Sequence, residues 1–82
     1  MSYRSHRRAA LDESQPLAHR ASHARSCALH VANGLRVQRE AVIAAVAKRT
    51  GADLHAPADG DALARALDCL EALRLRQLPL DA

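Results

Sequence analysis

The chain contains 82 residues, of which 49% are apolar and 26% are charged, and its formal net charge is +3. This length fits one domain, and the lack of any apolar run near the ~20 residues that span a bilayer excludes a transmembrane helix. Phe and Trp are absent and Tyr occurs once, so alanine and leucine must supply the core in place of the side chains that usually bury the most area. Because such a core is thin, we expect oligomerisation to complete it.

Residues 1–15 are polar and basic and show no apolar periodicity, so they are predicted to form a flexible arm. The arm lacks the apolar stretch of a secretory signal, and acidic residues at positions 12 and 13 are unlike a transit peptide. A cytoplasmic location is therefore expected. The bias toward alanine, leucine and arginine, with a single lysine, is typical of a GC-rich bacterial genome.

The first predicted helix spans residues 16–32. Pro16 suits a first helical turn, and Asn33-Gly34 is a strong C-terminal stop signal. Between them, small apolar side chains recur at three- and four-residue steps along one face, at Leu17, Ala21, Ala24, Ala28 and Val31. This face would allow a second helix to approach closely.

The second predicted helix spans residues 35–50 and ends where Gly51 can adopt a left-handed conformation. Residues 51–60 are predicted to form a loop whose aspartates are suited to cap the following helix. The third predicted helix spans residues 61–77, and Pro79 prevents its continuation.

These elements predict an all-α fold, because no segment alternates apolar and polar residues as a half-buried strand would. The expected architecture is a small three-helix bundle, or a helical hairpin of the second and third helices, preceded by the flexible basic N-terminal arm. Residues 16–82 would form a single helical domain. The two cysteines, Cys27 and Cys69, are expected to be reduced and partly buried, since two cysteines fall far short of a disulfide framework.

An apolar stripe on the third helix, with two valines of the second, is the leading candidate for a partner-binding surface. The residues are Leu63, Leu67, Leu70, Leu73, Val42 and Val46. Amphipathic helices bind partner chains through anchors at this spacing, which predicts an interaction module such as an adaptor, co-chaperone or regulatory subunit in a homo-oligomer or small hetero-complex. The commoner use of such a stripe is internal core, and both uses are compatible if dimerisation completes the core.

An uneven charge distribution supports an alternative, a nucleic-acid-binding regulator. Residues 1–50 carry nine basic and three acidic side chains, whereas residues 51–82 carry three basic and six acidic ones. The candidate phosphate-binding residues are Arg4, Arg7, Arg8, Arg20, Arg25, Arg36 and Arg39. No helix-turn-helix motif supports this alternative, because Pro57 and Gly60 fall where its recognition helix would run.

A second alternative is a metal-binding regulator. His19, His23, Cys27 and His30 are spaced by four, four and three residues, so they share one side of the first helix. Imidazole and thiolate bind Zn or Cu. One straight helix rarely supplies four ligands to a tetrahedral ion, and the favoured interpretation is the polar face of an amphipathic helix.

Catalysis has little support in the sequence. The serines occur without a nucleophile-elbow motif, and the three glycines form no phosphate-binding loop. The chain is therefore not predicted to be an enzyme, and no cofactor is expected.

Overall fold

The computed structural model describes residues 1–81, which contain four helices and no strand. The helices are α1 (Tyr3–Ala10), α2 (Leu17–Leu35), α3 (Arg39–Thr50) and α4 (Gly60–Arg74). The predicted all-α class is confirmed. No helix within this part of the chain combines the length and the apolar character that crossing a bilayer requires.

The bundle is organised about α2, which packs against each of the other three helices, while α3 also packs against α4. Contacts near both ends of α1 show that it runs antiparallel to α2. The Cys27 sulfur lies 3.8 Å from the carbonyl oxygen of Tyr3, and Arg20 Nε donates to the carbonyl oxygen of Ala10 at 2.8 Å. The chain therefore adds a fourth helix to the three that the sequence predicts.

The prediction of a flexible arm over residues 1–15 is wrong for residues 3–10, which form α1. The Ser2 side chain caps this helix by accepting the backbone N–H of Ser5 at 3.1 Å, and Arg7 and Arg8 in the last turn suit the helix dipole. Its inner face is made by Tyr3, His6, Arg7 and Ala10, which are spaced as one helical face but include few apolar residues. Apolar periodicity therefore gave no signal for a helix that packs on the bundle.

The end of α2 also differs from the prediction. The helix continues through Asn33-Gly34, and the left-handed conformation is adopted by Arg36 at φ 59°. The N–H of Arg36 donates to the Asn33 carbonyl, and the N–H of Val37 donates to the Ala32 carbonyl, which is the Schellman pattern. Val37 packs against the core. The left-handed residue at the end of this helix is therefore an arginine and not the glycine that the sequence predicts.

Other predicted helix ends are confirmed or shifted by a few residues. Gly51 is left-handed at φ 75° and ends α3. Asp59 caps α4 by accepting the N–H of Ala62 at 2.8 Å, but α4 ends at Arg74, three residues earlier than predicted. The residue in left-handed conformation there is Arg76, with φ 57°. Local capping signals thus locate ends well where glycine or aspartate supplies the cap.

The core consists of leucines and valines packed among alanines. The largest side chains with under 2% exposure include Leu54, Leu63, Leu67, Leu70, Leu73, Val31, Val42 and Val46. In α2, Ala24, Ala28 and Ala32 are fully buried, and such small residues allow helices to pack closely. The alanine stripe predicted for this helix therefore lies in the interior. Both cysteines are buried free thiols, as expected.

Replacing Leu70 with alanine should lower the free energy of unfolding by about 2–5 kcal/mol, because it leaves a cavity at a fully buried position. Leu29→Ala is the matched control, since that leucine is 46% exposed and its truncation should change stability by less than ~1 kcal/mol. Urea denaturation at low protein concentration measures both. Equal losses in the two variants would contradict the assignment of Leu70 to the core.

Replacing Arg36 with glycine should raise the free energy of unfolding by roughly 1 kcal/mol, because glycine adopts the left-handed conformation without the steric penalty of a side chain. Arg65→Gly, at an exposed position inside α4, should instead lower it by about 1 kcal/mol. Chemical denaturation compares the two. A loss of stability in Arg36→Gly would show that the end of α2 is not built as described.

Candidate functional site

The residues predicted to bind a partner lie inside the bundle. Leu63, Leu67, Leu70, Leu73, Val42 and Val46 all have 0% exposure in a single chain. They form the contact between α4, α3 and α2. The stripe is therefore internal core, which is the commoner use of such a pattern and one that the sequence also allowed. The expectation that this stripe is presented to a partner is corrected accordingly, because none of its surface is available on the folded chain.

The exposed leucines include two that follow α4. Leu75 is 50% exposed and Leu78 is 38% exposed, whereas every leucine within α4 is buried. They leave the buried stripe because the chain stops following a helical path after Arg74. We refer to residues 75–80 as the C-terminal leucine segment.

Contacts on both sides hold the C-terminal leucine segment against the bundle. Arg76 donates to the carbonyl oxygen of Gly34 at the end of α2, at 3.3 Å, and Arg49 of α3 donates to the carbonyl oxygen of Pro79. Leu80 packs against the core. An ordered segment therefore carries two leucines on its outer surface.

Most of the arginines proposed to bind phosphate already have partners within the chain. Arg7 pairs with Asp68 at 3.3 Å, Arg39 pairs with Glu40 at 2.9 Å, and Arg25 donates to the Leu54 carbonyl at 2.9 Å. Arg20 is buried and bound to the Ala10 carbonyl. Arg4, Arg8 and Arg36 are exposed. Four of the seven therefore have a partner within the chain, although the pairs of Arg7 with Asp68 and of Arg39 with Glu40 lie at the surface.

Glu71 of α4 is the polar centre that holds α1. Its carboxylate accepts the Tyr3 hydroxyl at 3.0 Å and two N–H groups of Arg74 at 2.6 and 3.1 Å, and Arg7 Nε lies 3.7 Å away. The hydrogen bonds from Arg74 hold the pKa of Glu71 below its usual range, with help from Tyr3. Burial, followed by the contact with Glu71, raises the pKa of Tyr3 to about 12.

The residues predicted to bind a metal are separated into two environments. Cys27 is fully buried beneath α1, and burial raises the pKa of its thiol to about 11, so it is not a thiolate at neutral pH. His19, His23 and His30 instead lie toward the surface of α2. Within residues 1–81, no group of three or more His, Cys, Asp or Glu side chains is arranged to hold a metal ion.

A histidine that sequence reasoning missed joins this surface. His6 of α1 has its Nδ1 3.0 Å from Nδ1 of His23, and the two ring centroids are 5.2 Å apart. The His30 ring lies 5.8 Å from that of His6, and the His19 ring lies 4.9 Å from that of His23. The prediction of a flexible arm excludes His6, although its spacing from Tyr3 and Ala10 is that of a shared helical face.

Comparison with protein-family models, with curated proteins and with solved structures finds no match to this chain.

Replacing Glu71 with glutamine should loosen α1, because the neutral amide forms weaker hydrogen bonds with Tyr3 and the arginines. We expect a loss of about 1–2 kcal/mol in the free energy of unfolding and faster amide exchange in α1. Since the pKa of Glu71 is depressed in the folded chain, its contribution is present above the ordinary glutamate pKa and is lost as the pH falls through the depressed value.

Asp68→Asn provides the control for this substitution. Its side chain is 81% exposed although it pairs with Arg7, so its replacement should cost less than about 1 kcal/mol. If Asp68→Asn loosened α1 as much as Glu71→Gln, Glu71 would not be the polar centre of the contact.

Proposed function

We propose that this chain is a small helical interaction module that binds another protein chain through its C-terminal leucine segment, and that a second copy of the chain is the first partner to test. The observation that supports this proposal is the exposure of Leu75 and Leu78 on an ordered segment. Complete burial of a leucine contributes ~1.5–3 kcal/mol. Two half-exposed leucines can therefore anchor an interface whose surroundings are polar.

The anchoring of this segment strengthens the proposal. Arg76 of the segment donates to the Gly34 carbonyl of α2, and Arg49 of α3 donates to the Pro79 carbonyl of the segment, so a partner would meet a surface that is already held in place. Binding then costs less conformational entropy than it would if the segment had to fold first. The interaction function expected from the sequence is retained, but the proposed surface lies beyond the stripe on α4.

Nucleic-acid binding has weaker support. Affinity for the phosphate backbone depends on how many free cationic side chains can lie along it. Arg4, Arg8 and Arg36 are exposed, but Arg7, Arg20, Arg25 and Arg39 are engaged within the chain.

Light scattering across a concentration series tests the proposal with the double variant Leu75→Asp/Leu78→Asp. We expect the wild-type chain to exceed its 8.8 kDa mass at high concentration and to dissociate on dilution. The double variant should remain a single chain throughout, because the interface would bury two carboxylates. Leu11→Asp, at a leucine 37% exposed after α1, should behave like the wild type. Circular dichroism verifies that the variants are folded.

A wild-type chain that stays at the single-chain mass at all concentrations would reject the second copy as partner. Affinity isolation with wild-type and double-variant bait then tests binding to a different protein. If the same proteins co-purify in the same amounts with both baits, the C-terminal leucine segment is not an interaction surface and the proposed function fails.

A further inference from the structure

The contact between His6 and His23 brings together two nitrogens that are both able to bind a metal. Their Nδ1 atoms are 3.0 Å apart and belong to different helices, α1 and α2. Two nitrogen ligands at ~2.0–2.1 Å from a tetrahedral zinc ion lie about 3.3 Å apart, and the two rings then have centroids about 5 Å apart. The observed ring separation is 5.2 Å. The two nitrogens share a hydrogen bond whose donor depends on the tautomer, so to hold an ion both rings must release that proton and turn their Nδ1 lone pairs toward a common point.

A third imidazole lies close enough to complete such a site. The His30 ring centroid is 5.8 Å from that of His6, and His30 is exposed, so its ring can rotate without displacing core side chains. In the present side-chain conformations the three rings do not converge on one point. Binding of an ion by all three rings therefore requires a change of rotamer at His30.

The chemistry of these groups suits a borderline divalent cation. Nitrogen donors select Zn, Cu or Ni over Mg or Ca. Cys27 is no competitor as a ligand, because it is buried and its sulfur lies against the Tyr3 carbonyl.

We propose that His6 and His23, joined by His30, bind one zinc-class divalent cation and thereby link α1 to α2. The consequence is structural. A helix of eight residues is too short to be stable by itself, and α1 is held largely by polar contacts, so a coordinate bond across the α1–α2 junction would strengthen its attachment. The site is independent of the C-terminal leucine segment.

Calorimetric titration with Zn²⁺ tests this site at neutral pH, with Mg²⁺ as the cation that should not bind. Zn²⁺ is preferred to Cu²⁺ because it does not oxidise thiols, and the chain has two free cysteines. We expect one ion per chain and a rise in melting temperature. His6→Gln and His23→Gln should each weaken binding at least tenfold, and binding should weaken as the pH falls and protons compete for the imidazoles.

His55→Gln is the matched control. His55 is an exposed histidine whose Nε2 lies 2.8 Å from the Glu40 carboxylate, so it offers a competing His–carboxylate pair away from the proposed site. Its replacement should leave zinc affinity unchanged. Nitrogen-15 NMR of the imidazoles should show the shift on zinc binding at Nδ1 of His6 and His23.

Three results would overturn the proposal: no binding of Zn²⁺ by the wild-type chain, equal affinity in His6→Gln and wild type, or loss of binding in His55→Gln. One ion per two chains with a doubled mass would place the ion between chains and would also contradict it. The titration is repeated with Leu75→Asp/Leu78→Asp, so that failure of the leucine interface and failure of the metal site are separated.

Discussion

The packing of the α4 leucines against the alanines of α2 is the contact on which the rest of the bundle depends. The chain has no Phe or Trp, so its stability must come from branched aliphatic side chains at short interhelical distance. Fully buried alanines in α2 permit that distance, and Leu63, Leu67 and Leu70 fill the space beside them. The largest buried side chains are covered within one chain.

The burial of these aliphatic side chains limits where a functional site can lie on the surface. The regular leucine stripe is buried in the interior, and the exposed residues are polar groups and scattered apolar side chains. The C-terminal leucine segment and the histidines between α1 and α2 are the features that the core does not explain. The first offers apolar area to another chain, and the second offers imidazole nitrogens to an ion.

The attachment of α1 differs in kind from the rest of the bundle. Ala10 is fully buried and Tyr3 packs against the core, but Tyr3, His6 and Arg7 also make polar contacts with α2 and α4. Such contacts depend on protonation in a way that buried leucines do not. The attachment of α1 therefore depends more on polar side chains than the packing among α2, α3 and α4 does.

The sequence by itself determined the helical class, the loop before α4, the caps at Gly51 and Asp59 and the apolar stripes of α2 and α4. These properties depend on residues near one another in the chain, so periodicity and capping express them directly. It could not determine that α1 forms, because the inner face of α1 consists of residues that are also common on surfaces. Nor could it show that the leucine stripe is interior.

Only the tertiary structure decided which side chains remain free. It brought His6 to His23, separated Cys27 from the histidines, engaged Arg7, Arg20 and Arg25 with other parts of the chain and left Leu75 and Leu78 exposed. Each of these outcomes joins residues that are distant in sequence or depends on which face a neighbouring helix covers. Local sequence patterns do not show which helix face is covered, because that depends on how the helices pack together.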